Sequence, residues 1–346
     1  MHLALIAWIA VGLIALIAMG AAYQRIGLRR DARNWTPPGR MVQIGGGRRI
    51  HIYALGQGAP AVIFESGIAA TSLNWRSVQE KVGERTLAVA YDRRGLGWSD
   101  PCSPPLATSG IAAELHTALH AASIEPPYVL VGHSFGGLVV RRFASLYPAD
   151  VAGLVLVDAV QPQEWSSPLP EDRRRMLRFG VRLARRGAFL ARIGIVRLAV
   201  RLAMAGSRWL PKAIGKITSG EGAGVINRIA GEVGKMPREL WPMVAAHWCN
   251  PASFLGMAAH FEALPASADE VLAAGPIDGI PVTVITAGKN EPVDSDTVRN
   301  DAIRAIARGA RHVVAHESGH WIHLDEPALV VREILAIVEM ARPPAQ

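Results

Sequence analysis

Cysteine, tyrosine and acidic residues are scarce in this chain of 346 residues. Its two cysteines, Cys102 and Cys249, stand far apart and outside any metal-ligand spacing. Neither a disulfide framework nor a cysteine-based zinc cluster organises the fold. Charged residues make up 19% and aromatics 6%, against 50% hydrophobic residues. That balance excludes a disordered chain and leaves ample material for a core, in one large domain or two small ones. The formal net charge is +8, yet the excess is local. Between Glu171 and Lys216 lie eleven Arg and two Lys against Glu171 and Asp172 alone, so the remainder is slightly acidic. A nucleic-acid surface would spread its charge and interleave aromatic side chains, and this segment alternates Arg with Leu, Val, Ile and Phe. Nucleic acid is therefore not an expected partner.

Arg174, Arg178, Arg182 and Arg185 step by four, four and three, which places them on one helical face. Met176, Leu177, Val181, Leu183 and Ala184 fall mainly opposite. A basic amphipathic helix of this kind fits an anionic membrane surface, and equally an ordinary solvated face. The N-terminus is apolar without interruption: Leu3 to Ala22 carries no charge. As a helix this run spans about 30 Å, a bilayer's hydrocarbon thickness. Arg25, Arg29, Arg30 and Arg33 follow it, whereas a secretory signal places its basic residues first. The flanks predict a single-pass anchor over residues 1–23, with cleavage after Gly20, Ala21 and Ala22 as the alternative. The charge asymmetry puts the rest of the chain on the cytoplasmic side. Residues 24–40 read as a basic linker.

Beyond the linker, two β-prone runs flank Gly45-Gly46-Gly47 and predict a hairpin over Met41–Leu55. Compact Val- and Ile-rich runs follow at Ala61–Glu65, Leu87–Tyr91, Tyr128–Gly132, Gly153–Asp158, Pro281–Ala287 and Arg311–Ala315. Their continuous apolarity suits strands covered on both faces. Helical patterns sit between them, near Trp75–Val82, Ile111–Ala122, Gly137–Tyr147, Val298–Ala307 and Ala328–Met340. The order is that of a doubly wound α/β domain with a mostly parallel sheet. Residues 41–160 and 280–346 form the two parts of that core. Residues 161–279 offer no convincing strand and read as an inserted helical cap, rich in Met, Leu, Ile, Val and Trp.

Gly132-His133-Ser134-Phe135-Gly136 has the spacing of a nucleophile elbow. Such a five-residue pattern arises by chance in roughly one chain of this composition in six, so its context carries the argument. An apolar strand leads in and an apolar-periodic helix leads out, as the elbow requires. A nucleophilic serine needs a base, and the base an orienting acid. Among His312, His316, His320 and His323, the base expected is His320. It lies in the loop Glu317-Ser318-Gly319-His320-Trp321 just after the last strand.

These pieces, with Tyr91-Asp92-Arg93-Arg94-Gly95-Leu96-Gly97-Trp98-Ser99-Asp100, resemble the α/β-hydrolase superfamily over roughly residues 40 to 342. The likeness is to capped serine esterases, lipases and peptidases. It implies Ser134 as nucleophile and His320 as base. For the acid it leaves two positions: Asp158, directly after the sixth strand, and Glu291 in Gly288-Lys289-Asn290-Glu291-Pro292. Asp158 is preferred because a strand end holds it rigidly. The oxyanion hole falls to the backbone N–H groups of Phe135 and Ile68, although Glu65-Ser66-Gly67-Ile68 lacks the family's usual histidine. Asp92–Asp100 reads as structural turn material, with Arg93 or Arg94 as ion-pair partners. No metal or organic cofactor is implied. The expected activity is hydrolysis of apolar carboxylic esters, with peptidase, carbon–carbon bond hydrolase and non-catalytic binding protein as alternatives. The membrane is the expected partner through the N-terminal helix and the basic cap helix. Oligomeric state is not indicated.

Overall fold

The Val- and Ile-rich runs become the strands of one eight-stranded sheet in the computed structural model, which describes residues 2–102, 104–205, 232–289 and 305–342. In chain order these strands are β1 (Arg40–Gln43), β2 (Arg49–Leu55), β3 (Ala61–Glu65), β4 (Ala88–Asp92), β5 (Tyr128–His133), β6 (Val151–Val157), β7 (Val282–Ala287) and β8 (Arg311–Ala315). Their order across the sheet is β1-β2-β4-β3-β5-β6-β7-β8. The expected hairpin is β1 and β2, paired antiparallel about the three glycines, and β2 pairs antiparallel with β4. The pairings from β4 through β3 to β8 are all parallel.

Both faces of the sheet are covered, which explains why its strands are apolar without alternation. On one face Ile63, Val89, Leu130, Leu154 and Leu156 pack with α3 (Thr108–Ala121) and α4 (Phe135–Leu146). On the other, Val62, Phe64, Val129, Val131, Val155 and Val157 pack with α2 (Arg76–Gly83) and a C-terminal helix, Pro327–Ala341. Adjacent residues serve opposite layers, as the period of two dictates.

Chain packing separates two units, Met1–Thr36 with Gly180–Ala258, and Pro37–Phe179 with Ala259–Gln346. The second holds the sheet. The first holds all of α1 (His2–Asn34), the end of α5 (Glu171–Arg192), α6 (Ile195–Met204), α7 (Trp241–Cys249) and the start of α8 (Pro251–Ala274). No strand occurs among the described residues of 161–279.

Two expectations need correction. The stretch read as a basic linker is helical through Asn34. At 1.5 Å per residue, α1's 33 residues reach about 50 Å, well beyond a hydrocarbon core, so its basic end continues the same helix. That end is also packed. Gln24 is buried and donates to the Cys249 carbonyl at 2.7 Å, while Arg197 pairs with Asp31 at 2.6 Å and donates to Gln24 Oε1 at 2.8 Å. Second, residues 161–179 and 259–279, read as parts of the cap, pack within the sheet unit. Leu264 and Val271 of α8 share an apolar cluster with Ile111, Phe135, Leu138 and Val139 of the sheet unit. The helix expected over Val298–Ala307 lies largely outside the described residues; at its end Ala307 forms an isolated bridge with Ile277.

Candidate active site

Ser134 occupies the single position between β5 and α4. Its backbone stands at φ 55° and ψ −122°, a region an L-residue enters only under strain. The turn can be this sharp because Gly132 and Gly136 have no side chain. A Cβ at Gly136 would lie 2.5 Å from the Glu65 carbonyl oxygen and 2.8 Å from that of Ser66. One at Gly132 would lie 2.6 Å from the Gly136 oxygen. The strained residue is held on both sides. Its N–H donates to Val157 at 3.1 Å, and its carbonyl accepts from Gly137 at 3.0 Å and Val160 at 3.1 Å.

Asp158 follows β6 directly and is also held at positive φ, 42°. Its N–H donates to Ile285 at 2.8 Å, and its Oδ1 accepts from the Ala287 N–H at 3.1 Å. Its Oδ2 lies 2.6 Å from His320 Nδ1. A carboxylate beside a ring nitrogen at this distance accepts, so Nδ1 carries the proton and Nε2 is left basic. The structure thus brings together two of the residues singled out in the sequence, 162 positions apart. Glu291, the alternative acid, lies outside the described residues.

The loop that carries His320 is tied at several points. Ser318 N–H donates to Ala315 at 3.2 Å, Ser318 Oγ donates to Glu326 Oε1 at 2.7 Å, and Gly319 N–H donates to Asp325 Oδ2 at 3.0 Å. His133, beside Ser134 in sequence, adds a tie that the sequence did not suggest. Its Nε2–H donates to the His320 carbonyl at 2.8 Å, and the two rings stand 4.7 Å apart. The strand that leads into Ser134 therefore holds the backbone of the candidate base.

The other histidines take structural places. His316 is exposed, and His312 Nε2 meets Thr286 Oγ1 at 2.9 Å. His323 is buried against Trp75, rings stacked at 4.4 Å, and against His133 at 4.5 Å. Burial drives the His323 pKa down to about 3, with His320 nearby pushing the same way. Burial also holds His133 well below the ordinary imidazole value, reinforced by His323 and His320. Both rings are neutral at physiological pH, which suits His133 as an uncharged donor.

The loop after β3 meets the elbow from its other side. A Cβ on Gly67 would lie 3.1 Å from Ser134 Cβ, so Ile68 follows a residue in close approach to the serine. Ile68 and Phe135 occupy the positions from which two backbone N–H groups could converge, and Ala69 next to Ile68 stands at φ 65°. Arg93 fixes this loop. Buried after β4, it pairs with Glu65 and donates to the carbonyls of Ser66 and, at 2.7 Å, Gly67. Tyr91 donates to the other Glu65 oxygen. Burial raises the Glu65 carboxyl above its usual range, against the pull of Arg93.

The remaining turn is structural, as expected. Arg94 pairs with Glu114 at 2.7 Å. Asp92 accepts from the backbone N–H groups of Ser72 at 2.7 Å and Trp98 at 3.1 Å, and meets His51 at 2.8 Å.

Comparison with known proteins agrees with this fold. The alpha/beta hydrolase family model matches residues 62–333. An AB hydrolase superfamily protein of Gibberella zeae is 33% identical over 106 residues, 30% of this chain and 33% of that protein. The chain spans less than half the length of the curated relatives it matches. Among solved structures, the epoxide hydrolase CorEH covers 88% of this chain and 99% of its own at 17% identity, with a TM-score of 0.62. A thermophilic esterase from Thermogutta terrifontis covers the same shares at 20% identity and a TM-score of 0.55. At these identities the structures speak to the fold alone. With its sheet order, elbow and family match over most of its length, the chain belongs to the alpha/beta hydrolase family.

Proposed function

We propose that this protein is a membrane-anchored serine hydrolase of apolar carboxylic esters, working through Ser134, His320 and Asp158. The observation that carries the reading is the 2.6 Å contact between His320 Nδ1 and Asp158 Oδ2, beside a serine at positive φ between strand and helix. In the proposed cycle His320 Nε2 takes the proton of Ser134 Oγ as that oxygen attacks the ester carbonyl carbon. The tetrahedral oxyanion accepts hydrogen bonds from the N–H groups of Phe135 and Ile68, aided by the N-terminal end of α4. His320 then gives its proton to the departing alcohol, leaving an acyl group on Ser134. Water attacks that acyl group with the same imidazole as base, and the acid and free serine are released. Asp158 holds the ring in its Nδ1–H tautomer throughout. A serine at the elbow disfavours the chemistry of epoxide hydrolases and haloalkane dehalogenases, which resemble this fold but use an aspartate there.

The apolar substrate is supported by what surrounds the elbow. Ile68, Leu106, Val160, Trp165 and Leu177 are partly exposed and pack against the buried Phe135, Leu138 and Val139. The anchor is supported by α1, a helix long and apolar enough to cross a bilayer, with Leu3, Trp8, Ile9 and Ile14 all exposed. The basic residues that follow the apolar run of α1 favour a cytoplasmic hydrolase domain. An ester series of increasing acyl length, presented in detergent micelles, tests the substrate class. Rates that rise toward long chains are expected; activity confined to short water-soluble esters contradicts it.

A further inference from the structure

A second cluster of ligating side chains lies at the other end of the sheet from Ser134. His116 and His120 stand one turn apart on α3, and Asp150 immediately precedes β6. His116 Nε2 is 2.9 Å from Asp150 Oδ2 and 3.1 Å from His120 Nε2, and the three ligand atoms lie within 4.8 Å of one another. Hydrogen bonding alone serves this arrangement poorly. With a proton on His116 Nε2, that one N–H either is shared between Asp150 and a lone pair on His120, weakening both bonds, or faces a second N–H on His120. Without that proton, its lone pair faces the carboxylate and repels it.

A cation between the three resolves the conflict, because each ligand atom then directs an electron pair inward. Zn²⁺ bonds nitrogen and oxygen ligands at about 2.0–2.2 Å, which in a tetrahedral site separates them by about 3.3–3.5 Å. The two contacts of His116 are a few tenths of an ångström tighter and the third pair lies within 4.8 Å, so modest side-chain rotations bring all three to one centre. The rings are already held. His116 stacks on Tyr147 at 3.9 Å and 6°, and the Asp150 N–H donates to the Tyr147 carbonyl at 3.0 Å. His120 is exposed, which leaves room for a water as fourth ligand.

We infer that His116, His120 and Asp150 form a binding site for a Zn²⁺-class divalent ion that clips α3 to the connection between α4 and β6. Two imidazoles and one carboxylate suit Zn²⁺ over Ca²⁺ or Mg²⁺, which prefer all-oxygen shells. Asp150 adjoins the strand starts, where Tyr128 pairs with Val151, whereas Ser134 follows the strand end. The length of a strand, about 20 Å, separates the two, so the ion serves stability and not the ester chemistry.

The test uses the full chain in detergent, free of any histidine tag and stripped with a chelator. ZnCl₂ is titrated calorimetrically into the wild type, His120→Ala and Asp150→Asn, and Co²⁺ binding is followed by visible absorption. One Zn²⁺ per wild-type chain is expected, with affinity at least about tenfold weaker in each variant. Co²⁺ should give the bands of a four-coordinate site, and saturating Zn²⁺ should raise the wild-type Tm by roughly 3–5 °C. Ester hydrolysis should be unchanged in His120→Ala, which separates this site from the catalytic reading. Equal Zn²⁺ affinity in the wild type and both variants, or a wild type with neither a Co²⁺ spectrum nor a Zn²⁺-dependent Tm, overturns the inference.

Discussion

At the scale of single residues, strain and hydrogen bonding mark the same few positions. Among the described residues only Ala69, Ser123, Ser134 and Asp158 are non-glycines at positive φ, and three of these four belong to the candidate site. On the proposed triad, in which Asp158 acts through the tautomer of His320, Asp158→Asn should lower kcat by about 10³–10⁴-fold, while Glu291→Gln stays near wild type. Steady-state rates on a nitrophenyl ester decide between the two acids, and a large loss in Glu291→Gln alone reverses the assignment. Arg93 is a positioning residue. Arg93→Met should leave Glu65 buried without its ion-pair partner and cost about 3–5 kcal/mol of stability. In whatever fraction remains folded, kcat should fall more than KM rises, because the freed loop carries the Ile68 N–H. Denaturant melts and kinetics on the same preparation separate the two effects.

The acid was legible only in part: chain order admits Asp158 and Glu291 alike, and the preference for Asp158 rests on its rigid strand end, where its contact with His320 is found. Arg93 was legible as an ion-pair residue but its partners were not, and His133 was not singled out. The ties of Arg93 to Glu65, Ser66 and Gly67 join β3 to β4 across 26 to 28 positions, with no local pattern to announce them. His133 sits in the elbow as a variable position, and its role appears only once the β8 loop lies beside it. The pair His116 and His120 reads in sequence as an ordinary helix surface, since Asp150 arrives from a different element.

At the scale of elements, close backbone approach determines which residues the elbow tolerates. Gly136→Ala pushes a methyl into the carbonyls of Glu65 and Ser66, which are backbone and cannot rotate away. A loss of roughly 1–3 kcal/mol is expected, read from the denaturant midpoint, together with lower activity from a displaced oxyanion loop. A wild-type midpoint would mean that β3 and α4 are not packed as described. Strands were legible at this scale because burial on both faces writes them as unbroken apolar runs. The ends of the cap were not, since Leu264 and Val271 of α8 look like any cap residues until they meet Phe135.

The buried imidazoles give the whole molecule a pH signature. In the unfolded chain His323 takes up a proton as pH falls through 6.5, whereas in the folded chain it does so only near 3. His133 is depressed in the same direction. The unfolded state therefore binds more protons across this window. Stability is full above 6.5 and falls toward acid by about 1.4 kcal/mol per pH unit for each such group. Thermal melts between pH 7 and 4 should show that slope, and His323→Phe, which keeps a ring on Trp75, should flatten it. An unchanged acid slope in that variant contradicts the burial argument. The packing of α1 makes a second demand on the intact chain. A truncation beginning at Ala22 keeps Gln24 and Asp31 with their partners, while one beginning at Pro37 removes both. The first should melt several degrees higher, roughly as expected for one or two kcal/mol in a chain of this size.

The most direct test of the central claim is covalent labelling of the full chain by a fluorophosphonate, comparing the wild type with Ser134→Ala. Labelling of the wild type alone is predicted, because an activated serine, its base and its oxyanion hole must all be in place for the phosphonate to react. A folded wild type that takes no label, or a Ser134→Ala variant that labels equally, contradicts the account.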